Sequence, residues 1–225
     1  MHAVPRPRFL LSSATRSACA VALALGSGLA TGASFSEAVN GELSANRLAP
    51  TFLQLDFQPG GAVPGSNVVS GTIGRNGGVV DLDYLWVNVP VGYRMSELRV
   101  GTQTTVGGGG SFVGLAAGDT MPVASDASTA SGLLGYKVYR LVDRGTDILD
   151  DMAMPSFGSS GFERPLAAGD YTFWFQELGS GSFDYRFNMV LTPVPGPAVL
   201  AWLLGAGLLA LGAGALPGPV RRVRA

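Results

Sequence analysis

Cysteine and histidine are almost missing from this sequence, whose 225 residues contain one of each, Cys19 and His2. The rest of the chain therefore cannot form a disulfide, cannot pair a thiolate with an imidazole in catalysis, and lacks the usual zinc ligands. The nucleophile motifs Ser-x-x-Lys and Gly-x-Ser-x-Gly are also missing between residues 34 and 193. These absences predict a protein that is not an enzyme.

Charged residues are scarce as well, at 14% against about 25% in an average soluble domain. The formal net charge of −1 conceals an uneven distribution, because residues 34–193 hold 16 acidic and 9 basic side chains while both ends are basic. Nucleic-acid binding requires clustered lysine and arginine opposite the phosphates. An acidic body therefore predicts no nucleic-acid partner.

The first 33 residues have the features of a secretory signal peptide. Residues 18–25 form an apolar run, and small residues follow as far as Ala33. Three arginines supply the positive charge at the start: Arg6, Arg8 and Arg16. We predict cleavage between Ala33 and Ser34, with a cut one residue earlier or five residues later as alternatives. The apolar run is shorter than the ~20 residues that span a bilayer, which argues against an uncleaved anchor.

A second apolar run, residues 198–216, contains 19 residues without a charge. As a helix it would be ~28 Å long, close to the thickness of the hydrocarbon core, so we predict one transmembrane helix. The tail, residues 217–225, carries the arginines that predict a cytoplasmic C-terminus: Arg221, Arg222 and Arg224. The alternative is a helix buried in the core of the fold.

A proline-containing motif stands directly before this predicted helix: Val194, Pro195, Gly196, Pro197 and Ala198. The motif, the apolar helix and the arginine tail together make residues 194–225 resemble a PEP-CTERM sorting signal, in which glutamate usually takes the place of Gly196. The resemblance implies that an exosortase, a membrane protease-transpeptidase, cuts near the two prolines. A proline-rich spacer before a permanent anchor is the alternative.

Between the two ends, residues 34–193 show short segments with strand patterns, separated by glycine and proline. The predicted strands are residues 52–57, 68–73, 82–89, 95–100, 135–142, 171–178 and 183–191. In the last of these, apolar and polar residues alternate from Phe183 to Met189, which is typical of a half-buried antiparallel strand. We therefore predict an all-β fold, an antiparallel β-sandwich or jelly roll, with aromatic side chains in its core and at most two helical turns in residues 147–154.

Three segments of this body resemble the small β-sandwich ectodomains that are related to bacterial pre-peptidase C-terminal domains. They are residues 40–44 (NGELS), residues 81–93 with DLDY and VPVGY at their two ends, and residues 168–173 (AGDYTF). The resemblance implies a β-sandwich without enzymatic activity.

Carboxylates are the candidate ligands for a metal ion, since hard cations such as calcium bind oxygen. The candidates are Asp81, Asp83, Asp147, Asp150 and Asp151. Their spacing does not match an EF-hand loop. The alternatives are charges that protect a sheet edge for the first two, and a solvated acidic loop for the other three. We therefore expect no cofactor other than calcium.

Taken together, the sequence predicts an exported, non-enzymatic protein of the cell surface or extracellular matrix. The precursor is expected to be anchored in the membrane with its body outside the cytoplasm, and the family resemblance implies deployment with exopolysaccharide. The expected partners are an exosortase, the membrane and extracellular polysaccharide. The alternative is a carbohydrate- or calcium-binding surface module, which an exposed aromatic strip would favour: Tyr84, Trp86 and Trp174.

Overall fold

The computed structural model describes residues 32–57 and 67–194, which are built mainly from β-strands. Within these ranges the strands are β1 (Ser34–Ser36), β2 (Thr51–Leu53), β3 (Asn67–Asn76), β4 (Val79–Val80), β5 (Leu82–Val89), β6 (Tyr93–Val100), β7 (Ser111–Ala117), β8 (Gly135–Tyr139), β9 (Gly169–Glu177) and β10 (Gly181–Pro193). The short helices are α1 (Glu37–Asn40) and α2 (Leu149–Ala153), with a 3-10 turn at Leu141–Asp143. The prediction of an all-β fold is confirmed.

The strands form two sheets that differ from the prediction in one respect. The first sheet has the order β1-β3-β10-β6, with β4 paired to β3, and the second has the order β2-β5-β9-β7-β8. Both sheets are mixed rather than purely antiparallel, since β1 runs parallel to β3 and β2 runs parallel to β5. The cause is the route of the chain. Each of these strands meets its partner only after the chain has visited the other sheet, and such a crossover allows parallel pairing.

The strand with the clearest alternation in the sequence, β10, lies inside the first sheet between β3 and β6. From Tyr185 to Met189 its buried side chains are those expected from the pattern, and they alternate with half-buried polar residues. The alternation stops at Val190, which is also buried and directly precedes a register shift. The buried set that follows the predicted alternation is Tyr185, Phe187, Met189 and Leu191. Period-2 alternation therefore identified both the strand and its inward face correctly.

Aromatic rings connect the two sheets into one core. Phe175 of β9 stacks on Tyr185 and Phe187 of β10, with ring centroids 4.9 and 5.0 Å apart. Each of these side chains is at most 2% exposed. Such ring pairs stabilise a core by about 0.5–1.5 kcal/mol in addition to the free energy gained from burying their apolar surface.

A second, smaller cluster covers the opposite face of the second sheet. It contains Tyr84 and Trp174, which are 1% and 6% exposed and pack under side chains of the segment 118–134 such as Met121 and Leu133. Tyr84 and Trp174 therefore do not belong to an exposed aromatic strip of the kind that would favour a carbohydrate-binding module. Trp86 is half-buried and packs on the exposed ring of Phe52.

No helix within residues 32–57 and 67–194 combines the length and the apolar composition that crossing a bilayer requires. The predicted signal peptide lies outside the described residues, apart from its last two positions. The predicted transmembrane helix, the arginine tail and the sorting motif after Val194 also lie outside them.

Candidate functional site

An acidic cluster forms where the segment after β1 lies close to the start of β5. It consists of Glu37, Glu42 and Asp83, which each contribute a carboxylate oxygen so that the three oxygens lie within 4.8 Å of one another. Glu37 is the first residue of α1, Glu42 lies in the loop that follows, and Asp83 is the second residue of β5. The cluster thus joins two acidic residues near one strand of the first sheet to one acidic residue of the second sheet.

A glycine ends the helix that separates the two glutamates. Helix α1 is a single turn, and the Gly41 N–H donates to the carbonyl oxygen of Glu37 at 3.0 Å. Gly41 has a φ of 87°, a conformation that glycine adopts without the steric cost that a Cβ brings. The chain leaves the helix at this point, so Glu42 stays beside Glu37.

The carboxylate of Glu37 is held in place by backbone groups of two different segments. Its Oε1 accepts a hydrogen bond from Leu43 N at 3.1 Å, and its Oε2 accepts one from Thr72 N in β3 at 2.7 Å. A Cβ at Gly71 would overlap this carboxylate and would lie 2.8 Å from the hydroxyl oxygen of Tyr185. The small residue at position 71 therefore leaves the space in which Glu37 and Tyr185 approach each other.

Asp83 is the most buried member of the acidic cluster, at 1% exposed. Among the described residues, neither of its carboxylate oxygens has a hydrogen-bond partner of normal geometry. Burial raises the pKa of Asp83 to about 9, and the negative charge of Glu37 adds to this increase. Burial also raises the pKa of Glu37, although its backbone hydrogen bonds oppose the effect.

The hydroxyl of Tyr185 is the second buried polar group at this place. Tyr185 is 2% exposed, and its hydroxyl has no hydrogen-bond partner of normal geometry within residues 32–57 and 67–194. Burial raises the pKa of Tyr185, and the negative charges of Asp83 and Glu37 raise it further. Two buried polar groups therefore stand close to each other without satisfied hydrogen bonds, which is rare in a folded protein.

The acidic cluster opens into a cleft of ≈ 460 Å³ on the surface of the first sheet. Glu37 and Glu42 line the cleft together with Tyr185 and Arg186. Nevertheless, the charges that shift the pKa of Glu37 and Asp83 are those of other carboxylates, and no lysine or arginine of the described chain is among the causes. The arrangement has the chemistry of a hard-cation site, since calcium prefers several oxygen ligands from carboxylates.

The predicted acidic stretch, in contrast, is neutralised by basic side chains. Asp147 accepts from Arg164 at 3.1 Å, and Asp150 forms an ion pair with the same guanidinium. Asp151 pairs with Lys137 at 2.5 Å. The three candidate calcium ligands of this stretch are therefore engaged with two basic residues.

Of the two remaining candidates, Asp83 belongs to the acidic cluster and Asp81 does not. Asp81 lies just before β5, and its backbone N–H donates to Gly74 O at 2.8 Å. Sequence reasoning did not identify Glu37 and Glu42, which lie about 40 residues before Asp83. A local spacing rule cannot find such a set, because the fold brings its members together through two different sheets.

A small apolar pocket of ≈ 180 Å³ lies on the other face of the second sheet. Its floor includes Phe112, Tyr136 and Trp174, with Phe112 and Trp174 in edge contact at a centroid distance of 4.7 Å. The indole N–H of Trp174 is buried and has no acceptor among the described residues. Phe157 stands at the pocket with 69% of its surface exposed. Aromatic walls of this kind can hold a small amphipathic group such as a sugar ring.

Comparison with known proteins adds no relative to these observations. No family model matches the chain, and no curated protein or solved structure shows significant similarity to it.

Proposed function

We propose that this chain is an exported, non-enzymatic protein of the bacterial cell surface or extracellular matrix, processed at its C-terminus by an exosortase and deployed with exopolysaccharide. The observation that carries the proposal is the order of the last 32 residues: the motif at residues 194–198, the apolar run ending at residue 216 and the basic tail. Positive charge after an apolar run favours a cytoplasmic tail, so the body faces outward.

The bounds of the described strands support this division of the chain. Strand β1 begins at Ser34, directly after the proposed signal cleavage, and β10 ends at Pro193, directly before the proposed sorting motif. The body between these points is a β-sandwich in this proposal, with the two sheets packed through their shared aromatic core.

The experiment that tests the proposal is intact mass spectrometry of the protein from its native host. We expect a mass that begins near Ser34 and ends near the two prolines at positions 195 and 197. Replacing both prolines by alanine should leave the tail in place, because an accessible, non-helical segment before the membrane is then lost. Pro193→Ala is the matched control, and it should be processed normally.

Two results would contradict the proposal. Mature protein that retains residues 221–225 would show a permanent anchor, and protein that retains residues 1–33 would show that the chain is not processed as an exported precursor.

A second candidate function, a carbohydrate-binding surface module, is favoured by the apolar pocket and its aromatic lining of Phe112, Tyr136 and Trp174. It predicts that the host's polysaccharide quenches tryptophan fluorescence of the purified chain. Phe157→Ala should weaken this binding several-fold because stacking on an aromatic ring is lost, whereas Phe57→Ala, an exposed aromatic outside the pocket, should not. Equal binding by both variants would exclude the pocket as the carbohydrate site.

A further inference from the structure

The acidic cluster brings three carboxylates together, and among the described residues none of the three forms an ion pair with a basic side chain. Like charges a few ångströms apart repel each other, and the repulsion is stronger where the surroundings exclude water. Glu42 is exposed, Glu37 is half-buried and Asp83 is fully buried, so the cluster extends from solvent into the fold. Repulsion of this kind is relieved either by protonation of a carboxylate or by a bound cation.

The unsatisfied buried groups are an independent indication of a missing partner. Both oxygens of Asp83 and the hydroxyl oxygen of Tyr185 are buried, and within the described residues none of them makes a hydrogen bond of normal geometry. The Tyr185 hydroxyl interacts with the Asp83 carboxylate, but this contact leaves the remaining oxygen lone pairs of both groups without a donor. Buried polar atoms in folded proteins are almost always paired with protein, water or an ion. The groups lacking partners here are oxygens, which are the atoms that a hard cation binds.

The ligand chemistry of the acidic cluster favours calcium over zinc and magnesium. Calcium binds oxygen at about 2.3–2.6 Å, so two ligands on opposite sides of the ion lie about 4.6–5.2 Å apart. The three carboxylate oxygens lie within 4.8 Å of one another, close enough for one ion to contact all three. Zinc favours nitrogen and sulfur ligands, and residues 32–225 contain no histidine or cysteine. Magnesium demands a more regular octahedron and keeps more of its water.

We propose that Glu37, Glu42 and Asp83 bind one calcium ion at the inner end of the cleft. Glu42 is the solvent-side ligand through which the ion enters, and Asp83 is the ligand that connects the ion to the second sheet. The ion thereby ties the segment after β1 to β5. This proposal goes beyond the proposed function and does not depend on export or C-terminal processing.

The test uses the purified full-length chain in detergent micelles, freed of metal with a chelator that is then removed. Calcium chloride is titrated while heat release is recorded by calorimetry and thermal unfolding by tryptophan fluorescence. We expect one calcium ion per chain, a dissociation constant of about 10⁻⁴–10⁻³ M, and an unfolding temperature that rises with calcium concentration. Magnesium chloride at the same concentrations should give a smaller rise.

Variants locate the site within the acidic cluster. Glu42→Gln and Asp83→Asn should each weaken calcium binding by at least ~10-fold, because each removes one charged ligand. Glu42→Gln changes an exposed side chain, so the fold should be preserved even if Asp83→Asn does not fold. Glu163→Gln is the matched control: it makes the same chemical change at an exposed glutamate outside the cluster, and it should bind calcium like the parent.

Three results would overturn the proposal. One is a chain whose unfolding temperature does not change up to about 10 mM calcium. Another is a Glu42→Gln variant that binds as tightly as the Glu163→Gln control. The third is magnesium binding that equals or exceeds calcium binding, which would reject calcium as the ion. In the first case protonation of Asp83, rather than a cation, relieves the repulsion.

Discussion

Two acidic regions of this protein have opposite electrostatic surroundings. The stretch from Asp143 to Asp151 is dense in aspartate, but Lys137 and Arg164 hold ion pairs with its members. The acidic cluster around Asp83 is not apparent in the sequence, yet burial together with neighbouring negative charges raises the pKa of both Glu37 and Asp83. A high local density of acidic residues is therefore a poor guide to a cation site, whereas acidic residues left without a basic partner by the fold are a better one.

The largest effect is expected from removing the main counter-ion of the acidic stretch. Arg164→Ala leaves Asp147 without its ion pair and removes a hydrogen bond to Ser96 O, and both Arg164 and Asp147 side chains are less than a quarter exposed. Loss of one partner of a largely buried pair should lower the free energy of unfolding by about 3 kcal/mol. Chemical denaturation of the purified chain measures this change.

Arg144→Ala provides the comparison for Arg164→Ala. Arg144 is exposed and bonds only carbonyl oxygens in the described structure, so its loss should cost no more than about 0.5 kcal/mol. Equal effects of the two substitutions would mean that the acidic stretch does not depend on its ion pairs, and the contrast between the two regions would then fail.

A second prediction perturbs the acidic cluster without removing a charge. Gly71→Ala places a Cβ where the Glu37 carboxylate and the Tyr185 hydroxyl meet. The displaced carboxylate should lower the free energy of unfolding by about 2 kcal/mol, a typical cost of overpacking, and should weaken calcium binding. Gly108→Ala is the control, because a Cβ there meets no atom within 4 Å. Unchanged calcium affinity in Gly71→Ala would show that Glu37 does not bind the ion.

The sequence predicted the strands well where side-chain alternation marks them. The predicted residues 82–89 coincide with β5, and β10 was placed to within two residues at each end. Strand β7 was not predicted, because Ser111–Ala117 follows a run of four glycines and carries apolar side chains on both faces, so that no period of two is visible. Strand β1 is only three residues long, too short for a pattern. The predicted strand at residues 52–57 overlaps β2, but β2 ends at Leu53, so the prediction extended it too far.

Functional positions were harder to predict than strands for a physical reason. Burial of Tyr84 and Trp174 is caused by the segment 118–134, which contains no strand and whose position no local pattern reveals. Likewise, Glu37 meets Asp83 only because β1 and β5 fold into different sheets that face each other. The position and the buried face of one strand follow from its local sequence, but a site between two sheets depends on the topology of the whole chain.

The third prediction compares the effects on stability of replacing one aspartate in each region. Burial raises the pKa of Asp83 to about 9, so at pH 7 the parent must take up a proton on folding in the absence of calcium. Asp83→Asn removes this requirement, and without calcium the variant should be more stable than the parent by about 1–2 kcal/mol. Asp147→Asn removes a charge that is paired with Arg164 and should be less stable by a similar amount. The measurement is the free energy of unfolding at pH 7 in the presence of a chelator.

Calcium should change the stability of Asp83→Asn relative to the parent, but not that of Asp147→Asn. At saturating calcium the advantage of Asp83→Asn should disappear, because the parent gains the binding energy that the variant has lost. Asp147→Asn should keep the same deficit with and without calcium. A destabilised Asp83→Asn variant in chelator would mean that the carboxylate at position 83 has a stabilising partner in the fold.

The smallest effect is expected for the exposed ion pair of the acidic stretch. Asp151 is 57% exposed and Lys137 is 24% exposed, and pairs in contact with water contribute little because solvent screens them. Lys137→Met should therefore lower the free energy of unfolding by no more than about 0.5 kcal/mol, although the side chain also lies 3.8 Å from Asp143. A deficit that shrinks as salt is added would identify the effect as electrostatic. A deficit as large as that of Arg164→Ala would instead mean that the whole stretch acts as one network, in which each cation supports several carboxylates.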